Sequence, residues 1–298
     1  MRYDGGHKRS SLPHDRLDGL FTLRGICPEV AIGLGVPRDP IRLVGPIDAP
    51  RAVGVVDPDL DVTARLRAFA RQSDPWLERV AGIVLMSRSP SCGLFDVEVR
   101  ADATAPAVPA GRGIFAAAIV AAHPNLPAED CTRLFDAARL ESFVARVFTY
   151  AHWHAVCRAG LTARRLIAFH SRYKYLLMAH SARHYREAGR LLADVSSELA
   201  TVAARYAAIL MAGLAHPATR AGHANVLSHL QGYFKRVLDA PTRASLAAAI
   251  DAYRRGEVEL DAPRALLEAL LLRHPDRYLS EQTYLQGFPV APNLRRQP

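Results

Sequence analysis

The sequence predicts two structural classes in one chain: an α/β domain with a mostly parallel sheet, followed by an all-α domain. Three observations predict this division. In the first half, short apolar runs alternate with helical patterns, whereas helical periodicity continues from about residue 137 almost to the end. The excess of positive charge also lies in one half. Half of the 298 residues are hydrophobic, which is enough for two substantial cores.

The charge is divided unequally between the halves. Residues 1–150 hold 18 Lys and Arg and 18 Asp and Glu, whereas residues 151–298 hold 20 and 11, which is the whole net charge of +9. Such asymmetry is typical of proteins that bind a polyanion, most often a nucleic acid. Coding bias is the alternative, but bias explains the preference for Arg over Lys and not the shortage of acids.

Composition also bears on where the protein acts. No apolar run approaches the roughly 18 residues that span a bilayer, and the polar start has no apolar signal-peptide core, so we expect a cytoplasmic protein. The 4 cysteines are too few for a secreted disulfide scaffold and should be thiols. Metal binding, nucleophilic catalysis and ordinary core packing remain open for them.

The clearest strand is the continuous apolar run at 81–86. A run without alternation is typical of a parallel strand buried on both faces, as in a Rossmann-like sheet. The loop at 87–93 follows it directly, at the carboxyl end of the strand, where open α/β sheets place their sites. Residues 25–27 suggest a second short strand, which runs into a Pro- and Gly-rich loop at 28–40.

Helices and a linker complete the first domain. Apolar spacing predicts helices at about 60–70 and 111–122. Pro124 and Pro127, with Glu129 and Asp130, indicate a linker, which gives domains at 1–128 and 137–298.

The second half offers two well-marked helices. Pro241 near the start and Gly256 at the end delimit a helix at 242–255, and Pro275 ends another at 262–274.

Two cysteines have informative neighbours. Cys27 precedes a proline, which is common beside iron–sulfur ligands, and Cys92 lies between Ser91 and Gly93, whose amides could stabilise negative charge. Two ordinary core cysteines are the alternative. The isolated Gly-Leu-Gly at 33–35 precedes no helix and does not favour a dinucleotide site.

Several motifs together resemble a known family. Those of the first half are Arg-Tyr-Asp-Gly-Gly-His-Lys at 2–8, Cys-Pro-Glu at 27–29, Gly-Leu-Gly-Val-Pro-Arg at 33–38 and Ser-Arg-Ser-Pro-Ser-Cys-Gly at 87–93. They resemble the DUF523 family, the thiouracil desulfidase domain. The motifs at 169–172, 177–181, 184–187, 223–229 and 232–235 resemble DUF1722, the domain fused behind it.

The resemblance implies an enzyme with a [4Fe-4S] cluster held by three cysteines, which removes sulfur from a thiolated uracil. Fused members of this kind convert 4-thiouridine in tRNA to uridine. Cys27 and Cys92 match two ligand positions, whereas Cys131 and Cys157 lie in other contexts. The third position should precede Arg2, so we expect a start codon placed too far downstream; a naturally shortened copy is the alternative.

Candidate catalytic residues follow from this chemistry. Glu29, beside a cluster ligand, is the expected general base; Ser89 or Ser91 would position water or substrate, and Asp4 is a reserve. The reaction is hydrolytic and needs no electron donor. A desulfidase of free thiouracil, and a nucleic-acid-binding protein that has lost its cluster, are the two alternative functions.

Cations interleaved with aromatic residues predict an RNA surface in the second half, because RNA contacts combine phosphate-binding cations with rings that stack on bases. A solvated helix face is the alternative. His180 and His184 lie four residues apart but lack the Glu of a zincin helix, so a metal site is not favoured. The residues expected to contact RNA are Arg172, Lys174, Arg183, His184, Arg186, Lys235 and Arg236.

Overall fold

A computed structural model describes residues 17–193 and 198–288. The chain divides into two compact units, the first ending at Phe143 and the second beginning at Val144. The first unit has the α/β architecture and the second is helical, so the predicted fold class is confirmed. Among the described residues, no helix is both long and apolar enough to cross a membrane.

The first unit contains two sheets and short helices. Its strands are β1 (Ile41–Val44), β2 (Arg51–Gly54), β3 (Ile83–Leu85), β4 (Val97–Arg100), β5 (Ala107–Gly111) and β6 (Ala128–Asp130). Its helices are α1 (Pro28–Ala31), α2 (Thr63–Gln72), α3 (Asp74–Leu77) and α4 (Ile114–Ala122).

The larger sheet is mixed, so the expectation of a mostly parallel, Rossmann-like sheet is wrong for the described residues. Its strand order is β2-β1-β4-β5. β1 pairs antiparallel with β2 and parallel with β4, and β4 pairs antiparallel with β5. The error has a physical reason: β2 begins at the exposed Arg51, and β5 is exposed at three of its five positions, so neither is a central strand buried on both faces, the kind that a long apolar run predicts.

The strand predicted at 81–86 is confirmed as β3, which pairs in parallel with β6. β6 occupies the segment predicted to be a linker, so that prediction is wrong. Glu129 and Asp130 are buried there because Arg133 pairs with Glu129 at 3.0 Å and two backbone amides satisfy Asp130. The strand predicted at 25–27 is also absent; that segment is irregular and leads into α1.

Apolar side chains from both layers form the core under the larger sheet. Leu43, Ala52 and Val97 of the sheet and Leu66 of α2 are fully buried in one cluster with Ile114, the first residue of α4. The predicted helices at 60–70 and 111–122 are confirmed as α2 and α4, although α4 begins three residues late because Gly111 completes β5.

The helical part of the chain begins at Ala137, as predicted. Its helices are α5 (Ala137–Arg158), α6 (Ala163–His180), α7 (Ala182–Leu192), α8 (Leu199–Leu214), α9 (Arg220–Gln231), α10 (Ala240–Arg255), α11 (Asp261–Arg273), α12 (Arg277–Ser280) and α13 (Thr283–Gln286).

Local signals explain the helix ends of the second unit. α10 begins at the cap Asp239, which accepts from the amide of Thr242, and ends at Gly256 in the left-handed region with φ of 85°. Its buried face, with α6, α9 and α11, forms one continuous core cluster that includes Leu227, Leu246 and Leu267.

Candidate active site

The Cys27 segment turns into helix α1. Cys27 is the extended residue before this helix, and Pro28 occupies the first turn, where a missing N–H costs nothing. The amide of Ala31 donates to the carbonyl of Cys27 at 3.0 Å. This turn places Glu29 two residues beyond the thiol and inside a short, defined helix.

The second cysteine lies in the loop between β3 and β4, which is fastened to the start of α4. The amide of Ile114 donates to the carbonyl of Pro90, and that of Phe115 donates to the carbonyl of Ser91, both at 3.0 Å. These carbonyls satisfy N–H groups that a helix start leaves without partners. The backbone of Ser91 and Cys92 is thereby fixed by α4.

Gly113 allows this close approach. A Cβ atom at this position would lie 2.5 Å from the carbonyl carbon of Ser91 and 2.7 Å from the amide nitrogen of Cys92. Only a residue without a side chain can pack there, because both atoms belong to the backbone.

A hydrogen-bonded network joins the two cysteine segments, which are 62 residues apart at their contact. Ser91 Oγ donates to Glu29 Oε1 at 2.9 Å. Arg38 donates to Glu29 Oε2 at 2.8 Å through Nε and approaches it at 2.7 Å through Nη2. The same Nη2 lies 3.8 Å from Cys27 Sγ. We call the side chains of Cys27, Glu29, Arg38, Ser91 and Cys92 the thiol network.

The thiol network is largely withdrawn from solvent. The side chains of Arg38 and Glu29 are only 6% and 13% exposed, and Ser91 is fully buried. Burial raises the pKa of Cys92, and the neighbouring Glu29 and Cys27 raise it further. Cys92 without a cationic partner therefore stays a neutral thiol, which is a poor nucleophile.

Ser89 and Asp130 hold the loop around Cys92. Ser89 Oγ accepts from the amide of Ser91 at 3.2 Å and from that of Cys92 at 3.1 Å. The carboxylate of Asp130 accepts from the amides of Leu94 and Phe95 at 2.9 and 3.2 Å. Burial raises the pKa of Asp130, although these two bonds act in the opposite direction.

The thiol network supplies two of the three cysteines that the expected cluster needs. The other described cysteines face elsewhere: Cys131 Sγ is 3.5 Å from Ser87 Oγ, and Cys157 lies in α5. Among residues 17–193 and 198–288, no group of three or more His, Cys, Asp or Glu side chains could hold a metal ion. Two adjacent thiols match the donor chemistry of an iron–sulfur cluster, but this donor set is incomplete.

The structure brings together four of the five catalytic and cluster-binding residues predicted within its described part: Cys27, Glu29, Ser91 and Cys92. Ser89 organises the loop beside them, and Asp4 lies outside the described residues. Sequence reasoning missed Arg38, although it ends the Gly-Leu-Gly-Val-Pro-Arg motif. The usable signal was a lone cation nine residues after Glu29 in a loop otherwise rich in Pro and Gly.

The second unit places the predicted RNA residues in two segments. Arg183, Arg186, Lys235 and Arg236 are exposed, whereas Arg172, Lys174 and His184 are partly buried. Arg172 donates to Gln286 Oε1 at 3.0 Å, and His184 Nδ1 lies 2.7 Å from Ser181 Oγ.

His180 and His184 do not share a helix face, because α6 ends at His180 and Ser181 caps α7. The Nδ1 atom of His180 donates instead to the carbonyl of His216 at 2.6 Å.

The fold and the thiol network define a two-unit protein in which an α/β unit carries a two-cysteine site and is followed by a basic helical unit. Comparison with known families agrees: the model described as "2-thiouracil desulfurase" matches residues 1–131, and "Protein of unknown function (DUF1722)" matches 174–289. The Escherichia coli (strain K12) protein named "Uncharacterized protein YbgA" is 39% identical over 157 residues, 52% of this chain and 93% of that protein. No solved structure matches the chain.

The chain belongs to the same family as this relative, and it carries a match to the 2-thiouracil desulfurase model ahead of its match to DUF1722. The desulfurase match suggests a desulfidase-type function for the first unit.

Proposed function

We propose that the protein removes sulfur from 4-thiouridine in tRNA and leaves uridine. The thiol network carries this proposal: two cysteines, a carboxylate and a buried hydroxyl meet in a 2-thiouracil desulfurase domain. The reaction is a hydrolysis, in which water supplies the oxygen of the new carbonyl and the sulfur leaves as sulfide. No electrons are exchanged, so no electron donor is required.

Cys27 and Cys92 are the residues of this chain that would hold two corners of a [4Fe-4S] cluster. Such a cluster, when bound, supplies a soft Lewis acid for the thiocarbonyl sulfur. Thiolate sulfur is the donor that proteins give to such clusters, and a bound cluster would supply the positive charge that a Cys92 thiolate lacks in the chain alone.

Glu29 and Ser91 form the proton-handling part of the site. Ser91 Oγ donates to Glu29 Oε1, so the hydroxyl can pass its own proton to the carboxylate while it takes a proton from water. The proton now held at Glu29 Oε1 is available for the departing sulfide. Arg38 binds Glu29 Oε2, so Oε1 is the carboxylate oxygen that faces the Ser91 hydroxyl and exchanges protons with it.

The basic unit would bind the RNA. All of the net charge of +9 belongs to residues 151–298, and Arg183, Arg186, Lys235 and Arg236 are exposed there. A 4-thiouridine in a folded tRNA must be turned out of its stack before its sulfur can enter a site, and phosphate contacts would hold the RNA meanwhile.

The test is an anaerobic assay of the full chain, supplied with iron and sulfide, on thiolated tRNA and on free 4-thiouracil. We expect sulfide release and uridine formation from the tRNA, with much slower reaction of the free base. Faster reaction of the free base would favour a free-thiouracil desulfidase. A protein that binds tRNA, takes up no iron and releases no sulfide would overturn the enzyme proposal and leave a nucleic-acid-binding protein.

A further inference from the structure

Four aromatic and cationic side chains from three segments of the second unit meet at its surface. Tyr175 of α6 donates its hydroxyl hydrogen bond to the hydroxyl of Tyr233 at 3.1 Å. The ring of Tyr233 stacks on that of Tyr278 of α12, with centroids 5.5 Å apart and planes inclined by 21°. Lys174 Nζ lies 4.9 Å from the ring centroid of Tyr175 and 5.1 Å from that of Tyr278. We call these residues the tyrosine platform.

The tyrosine platform has a buried base and an exposed edge. Tyr175 is 3% exposed and belongs to the core, and burial raises the pKa of its hydroxyl. Tyr233, in contrast, is 42% exposed. Its hydroxyl accepts a hydrogen bond from Tyr175, and the ring of Tyr278 stacks on one face of its ring. A ring fixed in this way loses little conformational freedom when a second planar group stacks on it.

The charge around the platform is positive and largely uncompensated. In the described part of the chain, no carboxylate forms an ion pair with Lys174, Lys235 or Arg236. The acids of the nearby α12 segment have other partners: Asp276 accepts from the amide of Leu279, and Glu281 pairs with Arg277.

Residues next to Tyr233 in the chain line a cavity that has room for a phosphate. The short 3₁₀ turn Gly232–Phe234 contributes Tyr233 to the platform and Gly232 to the lining of a cavity of about 420 Å³. Lys235 and Arg243 line the same cavity. A fixed ring beside a cation-lined cavity is the combination that binds single-stranded nucleotides, since every base has a face to stack and every nucleotide a phosphate.

We propose that Tyr233 is a stacking site for one unpaired base of an RNA, with Lys174 and Lys235 contacting the phosphates beside it. This inference rests on the proposed function, because it names where the RNA of that function touches the second unit. Tyr278 and Tyr175 act as the support that keeps the ring of Tyr233 in place.

The test compares Tyr233→Ala and Tyr233→Phe in the full chain. The probes are tRNA and a short single-stranded RNA that carries 2-aminopurine, whose fluorescence falls when the base stacks on a ring. Tyr233→Ala should weaken binding of both RNAs about tenfold and abolish the fluorescence change, whereas Tyr233→Phe should bind within about twofold of the wild type. Val237→Ala, at a neighbouring exposed position, is the matched control.

The salt dependence of RNA binding distinguishes base stacking from phosphate contacts. Lys235→Gln should reduce the slope of log affinity against log salt by about one, and Tyr233→Ala should leave that slope unchanged. The stacking proposal is wrong if Tyr233→Ala binds RNA like the wild type, or if Tyr233→Phe loses as much RNA affinity as Tyr233→Ala. Sulfide release from thiolated tRNA reports separately on the desulfidase. If Tyr233→Ala does not weaken RNA binding but the wild type releases sulfide, only the stacking proposal is rejected. A wild type that binds neither RNA rejects both.

Discussion

At the scale of single residues, Arg38 is the side chain on which the thiol network depends most. It is almost completely buried and contacts both Glu29 and Cys27. Breaking a buried ion pair from one side leaves an uncompensated charge, which costs far more than the loss of an exposed pair.

We therefore expect Arg38→Gln to lower the free energy of unfolding by about 3 kcal/mol and kcat by about 100-fold. Arg51→Gln is the matched control, because Arg51 is 64% exposed in its pair with Asp61 and should change neither quantity appreciably. Adding Glu29→Gln to Arg38→Gln should restore part of the stability but no activity. Urea unfolding and turnover of thiolated tRNA measure the two effects, and equal effects of Arg38→Gln and Arg51→Gln would contradict the account.

Three histidines of the second unit predict its response to acid. Burial lowers the pKa of His170, His180 and His223 to about 4 each, from an ordinary value near 6.5. The unfolded chain therefore binds more protons between these values. The contribution of the three neutral imidazoles to the free energy of unfolding is complete above about pH 6.5. It is lost as the pH falls towards 4, where the free energy of unfolding changes by up to about 4 kcal/mol per pH unit.

Urea unfolding of the full chain between pH 4 and 7 checks this slope. His180→Asn should reduce the pH dependence of the free energy of unfolding by about one proton. His229→Asn, at an exposed position of the same unit, is the control. A pH-independent free energy of unfolding in this interval would show that these imidazoles are not held neutral by the fold.

At the scale of elements, the start of α4 positions the Cys92 loop. Gly113→Ala would place a methyl group against the backbone of Ser91 and Cys92, which cannot yield as a flexible side chain would. We expect this variant to lose iron and at least about 100-fold in kcat. Gly189→Ala is the matched control: no atom lies within 4 Å of its added Cβ, and the change should stabilise the protein by about 0.5 kcal/mol. Similar iron content in both variants would contradict this role of α4.

The elements also show how far the sequence could predict the fold. α10 was predicted from Pro241 and Gly256 because helix starts and stops are local chemistry. β6 was missed because two of its three residues are carboxylates, and only the finished fold supplies the amides and the arginine that satisfy them. Likewise, Cys27, Glu29, Ser91 and Cys92 could be chosen from their motifs, but the contact of Arg38 with them depends on a loop without periodicity.

At the scale of the whole molecule, the unequal division of charge is the reason why we propose that the second unit binds RNA. Replacing four exposed cations there by Gln should reduce the salt slope of tRNA binding by roughly 3 to 4, since each phosphate contact contributes nearly one. The four residues are Arg183, Arg186, Lys235 and Arg236.

The matched control removes four exposed arginines of the first unit, which should leave the slope unchanged. They are Arg51, Arg67, Arg71 and Arg79. A larger loss of slope from the control would place the RNA on the α/β unit instead. Filter binding of tRNA over a series of salt concentrations provides both slopes.

The most direct test of the central claim is a single-turnover reaction of the iron-supplied full chain with thiolated tRNA, in which uridine formed and sulfide released are both counted. We expect one sulfide per uridine for the wild type and for Cys157→Ser, and a loss of at least about 100-fold in rate for Ser91→Ala. Unchanged 4-thiouridine with the wild type, or an undiminished rate with Ser91→Ala, would contradict this claim.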